Sequence, residues 1–207
     1  DTEYVEVRKR KELNLPATET TKLFTKKVSK GNSSFYQLYD FDDIPLWQKD
    51  NEYIIKGYVK ETNSFKHIFL SLFFLHNETV NIYTHLLPGI LCFAVIVPTL
   101  EISLFKKFST TTLTDYLVIN YFFLGAFICF MMSASFHCIK AHSEKVSIFG
   151  NKLDYLGIVA LIVSSMISLL FYGFYDSFKT FLFFGSITTL LGIICTVISL
   201  DDKFRAR

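Results

Sequence analysis

Four blocks of apolar residues, Ile82 to Leu100, Tyr116 to Phe136, Tyr155 to Tyr175 and Thr180 to Leu200, contain no Lys, Arg, Asp or Glu. A helix needs about 20 residues to cross the hydrocarbon layer of a bilayer, and each block has that length. An ionised side chain at the centre of such a helix costs about 2.5–3.5 kcal/mol on insertion scales, so blocks free of charge are what a membrane selects. The expected fold is all-α and integral to a membrane, with four transmembrane helices. The 23 Phe and 11 Tyr of the chain agree with this. A net charge of +2 is too close to neutral for a nucleic-acid binder. No cleavable signal pattern is read ahead of the first block, so that span is expected to direct insertion itself.

The polar remainder divides simply. Residues 1–34 carry the basic run Arg8 to Lys11 among scattered Thr, Ser and Lys, with too few apolar side chains for a core, and are expected to be a disordered tail. Residues 35–81 form a lead-in. Within it Asp43 is placed to cap, Pro45 suits a first turn, and Trp47, Ile54, Ile55 and Tyr58 share one side of a helix, so an amphipathic interfacial helix is expected there. The run Ile68 to Leu75 is too short to cross and is expected to lie along the membrane. Residues 201–207 are a charged tail. Cys92, Cys129, Cys138 and Cys195 have no C-x-x-C spacing and read as free, buried thiols.

Lys and Arg near the span ends set the orientation. Lys66, Lys140, Lys145, Lys152, Lys203, Arg205 and Arg207 lie on one side, against Lys106, Lys107 and Lys179 on the other. The first side, with the N-terminus, should be cytoplasmic, in the plasma membrane or an endomembrane. The sequons at Asn32 and Asn77 would then stay unused.

The polar residues that stand out converge on that same side. Ser133 and His137 are four apart on one helical face, and Asp154 begins the next apolar block, so the three can form a metal-site trio. The plainer alternatives are a His137–Asp154 bridge between two helices, and a Ser133 hydroxyl bonded to the carbonyl four residues back. Glu78, Asn81 and His85 share a face of the first span and are expected to close the inner mouth of the bundle by hydrogen bonding, without touching substrate. His142, in a charged loop, is expected to be solvated.

These residues carry a resemblance. The stretch His76 to Leu87, the pair Ser133 and His137, the run His142 to Ser147 and the motif Lys152-Leu153-Asp154-Tyr155-x-Gly157 resemble successive motifs of the progestin and adipoQ receptor family. The resemblance is to its adiponectin-receptor-like branch, of fungal type, related to the hemolysin III proteins. Ile44 to Asn51 resembles the amphipathic lead-in of that branch.

What the resemblance implies is a seven-span bundle with an inward N-terminus, holding zinc through the histidine that matches His137 and through an H-x3-H pair on the last span. That pair is missing here, and the chain opens on Asp1 and closes seven residues after its fourth span. The expectation is a fragment, metal-poor and inactive alone, with two further histidine ligands beyond Arg207. In the complete site Asp154 would take or orient the proton of a water, and Ser133 would donate to that water or to a developing oxyanion. The implied activity is zinc-dependent hydrolysis of a lipid amide such as ceramide, with membrane lipids as partners. The alternative is a receptor or lipid sensor with structural zinc, responding to an extracellular protein ligand. A channel is the weakest reading, because away from the inner face the spans supply only Asn120 and scattered Ser and Thr as a polar pathway.

Overall fold

A computed structural model describes residues 37–201 and Lys203; the expected disordered tail, the Asn32 sequon and most of the C-terminal tail lie outside these. The order is β1 (Tyr39–Asp40), two 3-10 turns (Phe41–Asp43 and Leu46–Gln48), β2 (Lys56–Tyr58), α1 (Phe65–Ser71), α2 (Thr79–Leu91), a π turn (Cys92–Ile96), α3 (Val97–Lys107), α4 (Leu113–Ile139), α5 (Glu144–Gly173) and α6 (Phe178–Leu200). Among the described residues four helical segments are long and apolar enough to cross a membrane: Thr79–Ser103, Leu113–Ile139, Glu144–Gly173 and Phe178–Leu200. The four expected spans are therefore present.

The helices outrun their apolar blocks, because hydropathy reports contact with lipid whereas hydrogen bonding and caps decide where a helix stops. Helix α4 starts with a capping box in which Thr112 Oγ1 accepts from Asp115 N–H while Asp115 Oδ2 accepts from Thr112 N–H at 2.8 Å. Helix α5 begins eleven residues before its apolar block, at Glu144, so Asp154 lies inside a helix that has already made about three turns. The first span is interrupted by Pro88 in α2 and then by the π turn.

Helices α4 and α5 form an antiparallel hairpin that approaches closely because small residues face the seam. A β-carbon on Gly157 would lie 3.0 Å from Cys129 Cα, and one on Gly150 would lie 3.1 Å from Phe136 Cδ2. One on Gly125 would run into the Ser164 side chain and sit 3.0 Å from the Ala160 carbonyl oxygen. Ser168 Oγ donates across the seam to Val118 O at 3.0 Å, and Tyr172 O–H to Asp115 Oδ1 at 3.3 Å. Helix α2 packs on the other side of α4, where Gly89 meets Phe130 and Met131, and α6 packs on α5, where Gly192 meets Val163. Many large apolar side chains on the outer faces remain exposed, among them Leu169, Phe183 and Val197, as lipid-facing residues are. Gly125→Val is expected to cost about 1–3 kcal/mol by forcing α4 from α5. Equilibrium unfolding in mixed micelles measures this, and an unchanged midpoint would mean the seam is loose.

The lead-in departs from expectation. No α-helix forms over Asp43–Tyr58: the backbone makes 3-10 turns at Phe41–Asp43 and Leu46–Gln48 and then pairs β2 with β1, Tyr39 opposite Tyr58. Tyr58 is buried, but Ile54 and Ile55 are exposed, so the helix-like spacing of these residues is not an apolar stripe. Long-range hydrogen bonds hold the segment instead. Thr62 N–H donates to Ala141 O at 3.0 Å and Asn63 N–H to His142 O at 2.8 Å, while Asn77 N–H donates to Gly57 O at 2.8 Å. Gly57 takes φ +88°, a left-handed conformation that side chains oppose, which aims its carbonyl at the start of α2. The helix that does form in the lead-in is α1, capped by Ser64.

Candidate functional site

The end of the bundle where α2 and α5 begin and α4 finishes gathers the charged residues. Its centre is Glu78. This residue stands at the N-cap position of α2, yet its side chain does not cap that helix. It reaches α4 instead. Oε2 accepts from His137 Nδ1 at 2.8 Å and from Asn81 Nδ2 at 3.0 Å, and Oε1 accepts from Lys140 Nζ at 2.8 Å and from Asn77 Nδ2 at 2.9 Å. Four donors match the roughly four acceptor positions of a carboxylate. Lys140 Nζ also donates to Asp50 Oδ2 at 2.5 Å, which ties the lead-in to the same group. Glu78 retains 9% of its side-chain surface, Lys140 18% and Asp50 48%, so the outer member of the chain is the solvated one.

Burial would raise the Glu78 carboxyl, but the His137 hydrogen bond, the Lys140 charge and the Asn81 amide outweigh it and hold it at about 2, against an ordinary 4.5. The group is ionised at neutral pH, so it can only accept, and Nδ1 of His137 must carry the proton of their shared bond. A carboxyl whose folded value lies below its unfolded one stabilises fully above the unfolded value, here about pH 4.5, and loses that contribution as pH falls towards about 2. The gap corresponds to about 3 kcal/mol at 1.36 kcal/mol per unit. The stability difference between the protein and its Glu78→Gln variant should therefore shrink as pH drops from 6 to 3. Thermal midpoints across that range check it, and a constant difference would assign the effect to packing.

A small cavity of about 20 Å³ adjoins this cluster, lined among others by Gln48, Tyr58, His76, Glu78, His137 and Lys140. Burial pushes the His76 imidazole down, so it stays neutral, and its Nδ1 accepts from Glu78 N–H at 3.2 Å. Gln48 Oε1 and His76 Nε2 are the two buried side-chain atoms without a hydrogen-bond partner among the described residues. Gln48 Nε2 is satisfied by Val59 O at 3.1 Å.

Of the residues singled out from sequence, Ser133 and His137 both lie on α4, and the α4–α5 register sets Asp154 level with Met132 and Ser133. Ser133 is buried at 5% exposure, and neither its hydroxyl nor Asp154 makes a hydrogen bond among the described residues. The back-bonded serine and the His137–Asp154 bridge are thus both absent there. Glu78, Asn81 and His85 do form a hydrogen-bonded face, since His85 Nδ1 bonds Asn81 O at 2.7 Å, and the His85 ring lies 6.0 Å from that of His137. His142 is not freely solvated: it lies 4.1 Å from the Phe65 ring, and its Nδ1 bonds Ser143 Oγ at 3.1 Å. The four cysteines are free as expected, but three are only half-buried and Cys195 is exposed. Sequence reasoning missed Asp50 and Lys140. The one signal for Lys140 was its position three residues after His137, on the same side of α4.

In kind, these donors suit zinc: among the described residues His137 makes no hydrogen bond through Nε2, and the Ser133 hydroxyl and Asp154 carboxylate make none. In number they do not complete a site. Among the described residues, no three His, Cys, Asp or Glu gather so as to hold a metal ion.

A family model described as haemolysin-III related matches residues 73–207. The ADIPOR-like receptor IZH2 of Saccharomyces cerevisiae is 50% identical over 196 residues, covering 95% of this chain and 61% of that protein. The adiponectin receptor protein of Drosophila melanogaster is 33% identical, covering 91% of this chain and 41% of the relative. The progestin and adipoQ receptor-like protein 1 of Caenorhabditis elegans is 32% identical, covering 93% and 44%. The chain thus spans less than two thirds of the length of these relatives.

Proposed function

Because the chain belongs to the haemolysin-III related family of adiponectin-receptor-like, multi-pass membrane proteins, we propose that it forms part of a zinc-dependent lipid amide hydrolase. The observation that carries this reading is His137, bound through Nδ1 and, among the described residues, free at Nε2, on the same helix as Ser133 and near the level of Asp154, neither of which has a hydrogen-bond partner among those residues. Two further imidazoles from outside these 207 residues would complete three protein ligands. Zinc bound there supplies Lewis acidity and makes water acidic enough to attack near neutral pH.

This chain's residues do the rest. His137 would hold the metal, with Nε2 as its available nitrogen. Asp154 takes the proton as the water oxygen bonds to the amide carbon, and returns it to the nitrogen as the carbon–nitrogen bond breaks. Ser133 donates to the oxyanion that develops on the carbonyl. A ceramide would yield a fatty acid and a sphingoid amine. Lys140, Lys145 and Lys152 lie towards the Glu78 end, and this charge bias supports a cytoplasmic setting for that end and the N-terminus, in the plasma membrane or an endomembrane. A second reading, a receptor or lipid sensor with structural zinc, is favoured by the receptor names of the relatives.

The test uses the full-length protein purified into lipid nanodiscs. Bound zinc is measured by elemental analysis, and fatty acid release from ceramide by mass spectrometry. Stoichiometric zinc with turnover is expected. Zinc without turnover favours the receptor, and protein without zinc overturns both readings.

A further inference from the structure

We propose that Glu78 is the positioning residue for His137, holding its ring so that Nε2 is the nitrogen presented to a metal. This inference rests on the zinc reading above. The two side chains come from helices that meet only in three dimensions, 59 residues apart, and they share a 2.8 Å bond from Nδ1 to Oε2.

An isolated imidazole at a helix end can rotate about its side-chain bonds and exchange its proton between two nitrogens. Glu78 removes both freedoms, because its own geometry is determined on every side. Asn81 shares Oε2 with His137, while Lys140 and Asn77 occupy Oε1, so the carboxylate cannot turn without losing a partner. Its place at the N-cap position of α2 also sets the negative charge against the positive end of that helix. A fixed acceptor at Nδ1 makes Nε2 the unprotonated nitrogen of the neutral ring. Carboxylates that accept from the distal nitrogen of a ligating histidine commonly orient it and raise its basicity.

A role confined to pairing with Lys140 would need only Oε1. It would leave the ring of His137 indifferent to Glu78. The Oε2 contact separates the two roles, and so do the experiments.

Full-length protein labelled with 15N-histidine, stripped of zinc and assigned by the loss of one signal in His137→Gln, should show a protonated Nδ1 and a bare Nε2 at His137. A protonated Nε2 with bare Nδ1 would overturn the proposal, and this arm needs no substitution at Glu78. In Glu78→Leu, zinc affinity measured by chelator competition should fall about 10- to 100-fold, and the Nδ1 preference should be lost. In Glu78→Gln, which keeps an acceptor at that place, the Nδ1 preference should be retained. Wild-type affinity in folded Glu78→Leu would sink this inference alone, whereas wild-type protein that binds no zinc would sink the functional reading beneath it. If Glu78→Leu does not fold, the wild-type tautomer decides.

Discussion

On the proposed zinc hydrolase reading, His137→Ala in the full-length protein is expected to abolish both zinc retention and amide hydrolysis. It removes the Nε2 that this reading gives to the metal, with Nδ1 already committed to Glu78. Loss of the metal takes away several kcal/mol of charge stabilisation in the transition state, and at 1.36 kcal/mol per tenfold this means a fall in kcat of at least about 10³. The fold should survive, because Glu78 keeps Lys140, Asn77 and Asn81 as donors. Elemental analysis, turnover and the unfolding midpoint, measured together, separate a lost ligand from a lost structure. Retained zinc in a folded His137→Ala protein would remove this residue from the metal site.

Lys140→Met should have the larger effect on stability, about 3 kcal/mol. Breaking a buried ion pair by deleting one partner costs about 3–5 kcal/mol, because the surviving charge stays in a poor solvent. The lower end applies here, since Lys140 keeps 18% of its surface and Glu78 retains three other donors. Methionine preserves the length of the aliphatic stem, so the change isolates the charge. Adding Glu78→Gln to Lys140→Met should recover part of the loss by removing the stranded carboxylate, and a double-mutant cycle reads that coupling directly. Asp50→Asn should cost under about 1 kcal/mol, because the Asp50 side chain is 48% exposed and its pairing is screened by water. A loss below about 1 kcal/mol in Lys140→Met would class the whole cluster with surface pairs.

These effects follow from contacts that no local pattern announces. Glu78, Asn81 and His85 were legible as one face because their spacing is helical, and they form one. Their connection to α4 was not legible. Lys140 entered the sequence reading as a flanking charge that orients the protein, whereas in the structure its ammonium lies between Asp50 and Glu78. The lead-in was misjudged for a related reason. Trp47, Ile54, Ile55 and Tyr58 fall at helical intervals, but Tyr58 O–H donates to Ile54 O at 2.9 Å, and the chain around it is pinned by β1 and the start of α2. Among the described residues, the α-helix this segment makes ahead of α2 is the seven residues of α1.

The sequence by itself determined the four spans, their approximate limits and the family, because lipid solvation acts on each residue nearly independently and leaves a local record in hydropathy and motif order. It also determined that Ser133 and His137 share a helix. Only the tertiary structure decided what those residues touch. The pairing of Glu78 with His137 and Lys140, and the level of Asp154 beside Ser133, depend on how α2 and α5 pack against α4. That packing is set by close approaches at Gly89, Gly125 and Gly157, between residues far apart in the chain, where shape rather than hydropathy decides the register.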